Sequence, residues 1–113
     1  MFDDVRFNVD YNSASYRLDD IEGPYNSGRK FEEGNMGHRP SAKGGYFPVA
    51  PVDSCSDIRG EMVNTMKEMG LPMDKHHHEV APSQHELGMT YGTLIETADR
   101  VQIFKYVTHQ VAH

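Results

Sequence analysis

Residues 76–86 constrain this chain more than any other part of its sequence. They read HHHEVAPSQHE, with two glutamates seven positions apart and a Pro-Ser pair midway between them. With Pro82 and Ser83 as the two central residues of a tight antiparallel hairpin, Glu79 is predicted to lie opposite Glu86. Directly opposed residues share a face of the sheet, with Cβ atoms about 4.5–5.5 Å apart.

Two carboxylates at that distance repel each other, so the pair predicts a shared divalent cation. Carboxylate oxygens are the ligands that Mg²⁺ and Mn²⁺ prefer. His77 falls on the same face as Glu79 and is the expected functional histidine of the run, while its two neighbours face the core or solvent. A pair of exposed strand carboxylates is the alternative. The same register sets Ala81 against Gln84 and Val80 against His85.

Composition restricts the class of protein. At 113 residues the chain is one domain or part of one. Its hydrophobic fraction of 37% is low, so core partners are expected elsewhere in a larger body. A net charge of −6 argues against binding to nucleic acid or a membrane surface. There is no apolar run long enough for a membrane span and no signal-peptide pattern, which predicts a cytoplasmic protein with Cys55 as a reduced thiol.

Hydrophobic periodicity predicts an α+β chain with antiparallel strands. In order, we expect strands at 2–9 and 15–21 around a turn at Asn12-Ser13, a glycine-rich irregular segment at 23–45, a helix to residue 69, a hairpin at 73–80 and 84–91, and a second helix from 92 onwards. Asp53, Ser54 or Ser56 is expected to cap the first helix. The expected buried stripes are Ile58, Met62, Met66 and Met69, then Ala98, Val101, Phe104, Val107 and Val111.

The irregular segment carries glycines and basic side chains but no phosphate-binding loop of the GxxxxGK[ST] type. Turn glycines are the favoured interpretation. The alternative is that the basic side chains of the segment line a site for an anionic ligand. These side chains are Arg29, Lys30, Arg39 and Lys43.

Several stretches together resemble type I glutamine synthetases of bacteria and archaea, over essentially the whole chain. These stretches are FDDVRF at 2–7, DDIEG at 19–23, GNMGHRP at 34–40, KGGYFPV at 43–49, PVDS at 51–54, HHHEVAP at 76–82, QHE at 84–86 and KYV at 105–107, with His109 and VAH at 111–113. The resemblance implies a piece of the glutamine synthetase catalytic domain. It also implies a ligase that joins ammonia to glutamate through a γ-glutamyl phosphate, with ATP and Mg²⁺ or Mn²⁺.

The resemblance also implies roles for individual residues. Glu79 and Glu86 match metal-binding glutamates, and Glu79 and Tyr46 match the ammonium pocket. His77, Asp74 and Tyr91 are expected at the nucleotide. Asp74 departs from the pattern, since many members carry Glu there.

Family members are several times longer, and their other metal ligands, their glutamate-binding arginines and most ATP contacts match no residue of this chain. The 113 residues alone are therefore expected to be inactive, and the parent protein is expected to be a homododecamer of two stacked hexameric rings. Two alternatives stay open: a γ-glutamylpolyamine synthetase-like ligase, and a non-catalytic module that binds divalent metal.

Overall fold

The structure, a computed structural model, describes residues 2–23 and 39–113. These residues form β1 (Asp4–Val9), β2 (Ala14–Asp19), α1 (Ser56–Glu68), β3 (Met73–His78), β4 (His85–Met89) and α2 (Leu94–Ala112). β1 pairs with β2, and β3 pairs with β4, in two antiparallel sheets of two strands each. The predicted α+β class is confirmed.

The first hairpin forms where the sequence predicts it, with its turn one residue earlier. The Asp10 N–H donates to the Ser13 carbonyl oxygen at 2.8 Å, so the turn centres on residues 11–12. The register sets Phe7 opposite Tyr16, and each residue is 78% exposed. A lone two-stranded hairpin is only marginally stable in water, and this one leaves two aromatic side chains exposed on one face.

The chain divides into two compact units. The first comprises Met1–Asp53 and His78–His85, and the second comprises Ser54–His77 and Glu86–His113. The hydrophobic core lies in the second unit. Its buried members are Met62, Val63, Met66, Leu71, Met73 and Val107.

Helix α1 buries most of the predicted stripe. Met62 and Met66 are in the core and Ile58 packs against it, but Met69 is 50% exposed, contrary to the prediction. Met69 is the C-cap residue rather than part of the helical stripe, because the helix ends at Glu68. Gly70 follows with φ +88°, the left-handed conformation that closes a helix and favours glycine.

The start of α1 also differs from the prediction. Its N-cap residue is Cys55, and no side chain caps the helix there. None of the three polar candidates fills that role, since Ser56 is already the first helical residue and Asp53 and Ser54 precede the cap.

Helix α2 begins with a capping box. The Thr93 side chain and the Glu96 side chain satisfy each other's backbone amides, as the pattern T-x-x-E favours. Val107 is buried, and Ile103, Phe104 and Val111 pack against the core. The predicted stripe is wrong at its first two members, since Ala98 and Val101 are exposed.

Most of the predicted irregular segment, including Arg29 and Lys30, lies outside the described residues. Residues 39–55 are described and contain neither helix nor strand. Neither of the two helices found in the described residues is long and apolar enough to cross a membrane.

Candidate functional site

The tip of the second hairpin contains the turn that the sequence predicts. The Gln84 N–H donates to the Ala81 carbonyl oxygen at 3.2 Å, which closes a turn around Pro82 and Ser83. Ser83 has φ +57°, a conformation that suits the third position of a type II turn after proline at the second. Pro82 is therefore placed where its fixed φ favours the turn.

The predicted register beyond this turn is wrong by two residues. The Glu79 N–H donates to the Gln84 carbonyl oxygen at 2.8 Å, so Glu79 lies opposite Gln84 and not opposite Glu86 as predicted. The rings of His78 and His85 face each other with centroids 4.9 Å apart, so His78 takes the place opposite His85 that was expected for Val80. β3 accordingly ends at His78, and residues 79–84 form a six-residue connection.

A third segment explains the shift. Val80 leaves the ladder because its carbonyl oxygen accepts from the Gly45 N–H at 3.1 Å. The Val80 N–H donates to the carboxylate of Glu79 at 3.0 Å instead of crossing the hairpin. The Phe47 N–H likewise donates to the His78 carbonyl oxygen at 3.2 Å. These bonds come from a segment outside the two strands of the hairpin.

The shift of two residues keeps Glu86 on the same face of the sheet as His77, as predicted, because side chains alternate with a period of two. His77 Nε2 lies 3.5 Å from Glu86 Oε1. The His77 side chain is only 5% exposed, whereas that of Glu86 is 49% exposed. The structure therefore brings together two of the predicted residues, with the carboxylate open to a ligand. A metal shared by Glu79 and Glu86 stays a prediction.

The three consecutive histidines have different surroundings. In the second unit, Arg59 Nε donates to His76 Nδ1 at 3.4 Å, and His77 contacts Glu86. In the first unit, His78 is fully buried and its Nε2 lies 2.8 Å from Glu22 Oε2. The alternation of a strand separates their environments, as expected for neighbouring positions.

A buried cluster around Glu22 was missed by the sequence analysis. Glu22 is 1% exposed, and its Oε2 also accepts the Ser83 N–H at 2.7 Å. Glu22, His78 and His85 each offer a possible metal-ligand atom, and these atoms lie within 4.8 Å of one another. Glu22 lies 56 positions before His78, so no local spacing could indicate the pair. The DDIEG stretch at 19–23, which contains Glu22, supports the family resemblance but does not indicate this cluster.

Gly45 is the close neighbour of this cluster. A Cβ atom at Gly45 would lie 2.5 Å from the Glu79 carbonyl oxygen and 2.8 Å from the His78 ring. Close packing against main chain and a buried ring therefore requires glycine at position 45.

The other predicted site residues are divided between the two units. Tyr46 is in the first unit, 59% exposed, with its ring edge-to-face against Phe47 at 4.8 Å. Asp74 lies exposed on β3 in the second unit. Tyr91 is fully exposed there and lines an open apolar groove of about 460 Å³ with Leu94 and Thr97.

Comparison with known proteins agrees with this local architecture. The model of the glutamine synthetase catalytic domain matches residues 1–113. Glutamine synthetases of Azospirillum brasilense and Rhizobium meliloti are 60% and 52% identical over 113 residues, which is all of this chain. The Salmonella typhimurium glutamine synthetase is 53% identical over 114 aligned positions.

The chain spans about a quarter of the length of these relatives, 24% in each case. A cryo-EM structure of Plasmodium falciparum glutamine synthetase has the same fold over 97% of this chain and 22% of its own, with a TM-score of 0.77 and 24% identity. Because the family model covers every residue, the chain belongs to the glutamine synthetase catalytic-domain family.

Proposed function

We propose that the protein containing these residues is a glutamate–ammonia ligase, which forms glutamine from glutamate, ammonium and ATP. The observation that carries the proposal is the match of the whole chain to the catalytic-domain family, together with 52–60% identity to relatives named glutamine synthetase. In the proposed reaction ATP phosphorylates the side-chain carboxylate of glutamate. Ammonia then displaces phosphate from the γ-glutamyl phosphate.

We assign Glu79 and Glu86 as ligands of Mg²⁺ or Mn²⁺, with His77 beside them at the nucleotide. The donor set fits these ions, since carboxylate oxygens suit both and an imidazole is tolerated. The carboxylate of Glu86 is half-exposed and lies 3.5 Å from the buried ring of His77. This geometry supports the assignment, because the protein orients one carboxylate oxygen while the group stays accessible to a cation. A bound divalent cation offsets negative charge on the phosphoryl oxygens during transfer.

The remaining assignments concern substrate positions. Glu79 and Tyr46 are proposed at the ammonium pocket, where a carboxylate stabilises the cation before it loses a proton. Asp74 and Tyr91 are proposed at the nucleotide. The exposed ring of Tyr91, at the mouth of an apolar groove, supports a stacking role against a base.

We further propose that these residues are one part of a catalytic domain and that the protein acts in the cytoplasm as a dodecamer of two stacked hexameric rings. Large exposed apolar side chains support an assembly, because such groups are normally covered. They include Val5, Phe7 and Tyr16 on the first hairpin, and Leu94, Ile95 and Tyr106 on α2.

The test is the Glu79→Gln variant of the full-length protein, assayed for glutamine formation and phosphate release with ammonium and with a polyamine as the amine. We expect no measurable ligase activity and unchanged assembly, because the amide cannot carry the negative charge that a metal and ammonium require. Glu61→Gln, an exposed carboxylate on α1, is the matched control and should keep full activity. Full activity in Glu79→Gln would refute the assignment. Wild-type activity with the polyamine but not with ammonium would show that a polyamine is the substrate.

A further inference from the structure

We propose that Glu22 is a positioning residue for Glu79, which it holds in place through His78 and the turn at Ser83. The inference rests on the proposed role of Glu79 as a metal ligand. Nothing in the family resemblance of the DDIEG stretch assigns a role to this glutamate. Its burial and its contacts carry the argument.

A buried carboxylate is destabilising unless hydrogen bonds or an opposite charge compensate it. Glu22 is 1% exposed, so its partners determine whether it is tolerated. Its Oε2 accepts the Ser83 N–H at 2.7 Å and lies 2.8 Å from His78 Nε2. These two partners flank Glu79 in sequence, one directly before it and one in the turn that follows. Glu22 therefore connects both ends of the segment that carries Glu79.

His78 transmits this constraint to the main chain. Its Nδ1 lies 2.6 Å from the Glu79 carbonyl oxygen, and since a carbonyl oxygen only accepts, Nδ1 is the donor. Both ring nitrogens are thus engaged, and the ring also packs edge-to-face against His85. The buried ring, with a polar contact at each nitrogen, therefore links Glu22 to the Glu79 peptide group.

The remaining bonds of Glu79 complete the restraint. Its N–H donates to the Gln84 carbonyl oxygen at 2.8 Å, and its carboxylate accepts the Val80 N–H at 3.0 Å. The next carbonyl, that of Val80, accepts from Gly45 at 3.1 Å. Hydrogen bonds to both sides of the Glu79 main chain fix its backbone angles, and these angles set the direction of the carboxylate. Such outer contacts commonly change metal affinity by 10–100-fold when removed.

A cation held directly by Glu22, His78 and His85 is the competing interpretation, since their ligand atoms cluster. The described contacts favour positioning. Glu22 Oε2 already accepts the Ser83 N–H at 2.7 Å and lies 2.8 Å from His78 Nε2, and a cation would have to displace both contacts.

The experiment compares Glu22→Ala, Glu22→Gln and the control Glu61→Ala in the full-length protein, with Mn²⁺ binding measured by calorimetry and Mn²⁺ activation measured in the ligase assay. Glu22→Ala should raise the Mn²⁺ dissociation constant by about tenfold. Excess Mn²⁺ should restore most of kcat, which a general loss of folded enzyme would not permit. Glu22→Gln should bind Mn²⁺ nearly as the wild type does, because its amide has the shape of the carboxylate and offers an acceptor for the Ser83 N–H and a polar atom for the His78 ring.

Where Glu22→Ala fails to assemble, Glu22→Asp carries the same test, since its shorter side chain cannot reach both partners. An unchanged dissociation constant in Glu22→Ala and Glu22→Asp would overturn the proposal, and so would a Glu22→Gln defect as large as that of Glu22→Ala. Loss of one Mn²⁺ per subunit in Glu22→Gln would instead indicate a cation held by Glu22. A wild-type protein that binds Mn²⁺ in this Glu22-dependent way but lacks ligase activity would refute the proposed function and leave the positioning role intact.

Discussion

Replacing Gly45 by alanine should damage the site through a single added methyl group. The new Cβ would lie 2.5 Å from the Glu79 carbonyl oxygen and 2.8 Å from two atoms of the His78 ring. Ordinary contacts between heavy atoms are about 3.5–4.0 Å, so the shortfall is about 1 Å. Neither neighbour can move easily, because one is main chain and the other is a buried ring bonded through both nitrogens. The Glu79 peptide must therefore shift by a comparable distance.

A misplacement of about 1 Å in a catalytic group costs about 100-fold in rate, which corresponds to about 2.7 kcal/mol of transition-state stabilisation. The added methyl group should also lower stability by about 1–3 kcal/mol, as overpacking does. Steady-state kcat/KM for ammonium and the melting temperature of the full-length protein measure the two effects.

Gly60→Ala is the matched control for Gly45→Ala. Gly60 lies inside α1, and a Cβ there would approach no closer than 4.0 Å to the His76 ring, so the substitution should stabilise the helix by about 0.8–1.0 kcal/mol without loss of activity. Gly45→Ala with kcat/KM near that of the wild type would refute the reasoning, because it would show that the segment around Glu79 yields without consequence.

Three further predictions concern stability and association. Met66→Ala should lower the free energy of unfolding by about 2–5 kcal/mol because Met66 is fully buried, whereas Met69→Ala should be nearly neutral; equal melting temperatures would contradict the described core. The hydrogen bond from the Thr93 side chain, followed by its backbone N–H and the charge of Arg100, lowers the pKa of Glu96 below its ordinary 4.5. Because the folded-state pKa is the lower one, this contribution to stability is present above pH 4.5 and is lost as pH falls through the folded-state pKa. In Thr93→Ala the pKa of Glu96 should rise toward 4.5 in an NMR titration, and an unchanged value would contradict the capping box. Residues 1–113 produced alone should associate through their exposed apolar side chains and bind Mn²⁺ undetectably by calorimetry; a sharply monomeric sedimentation profile or micromolar binding lost in Glu86→Gln would favour the metal-binding module.

Local patterns in the sequence predict the elements of this fold well. Both hairpins, both helices and the turn at Pro82-Ser83 follow from hydrophobic period and turn chemistry. Each of these signals lies within a few residues of the structure that it specifies.

The errors have a different origin. Met69 satisfies the helical period but lies one residue beyond the helix end, where the chain turns away. Val80 satisfies the strand pattern, but its carbonyl oxygen accepts from Gly45, which is 35 positions earlier in the sequence and belongs to no predicted strand. Periodicity contains no information about such distant partners.

The lack of long-range information also explains which residues of the candidate site were predicted and which were missed. The two glutamates of the hairpin stood out because their spacing alone implied a conflict of charge, and that argument needed no third segment. Glu22 stands in a turn after two other acidic residues, and no local pattern singles it out. Only the fold reveals that it is buried against His78 and Ser83. Candidate ligand-binding residues can thus be proposed from local chemistry, whereas a buried residue that contacts their segment, such as Glu22, is identified only from long-range contacts.

The two-residue shift of the hairpin shows why this difference matters for function. A shift of one residue would have moved Glu86 to the opposite face, away from His77, and would have excluded the proposed metal site. A shift of two preserves the face and changes only which residues are opposed, so His77 rather than Glu79 becomes the contact of Glu86. Glu79 then lies just beyond the end of β3, where its N–H still bonds to Gln84 across the hairpin and where Glu22, His78 and Gly45 restrain its direction. A carboxylate held by such a network can be oriented independently of the sheet, and this independence is what the Glu22 and Gly45 variants test.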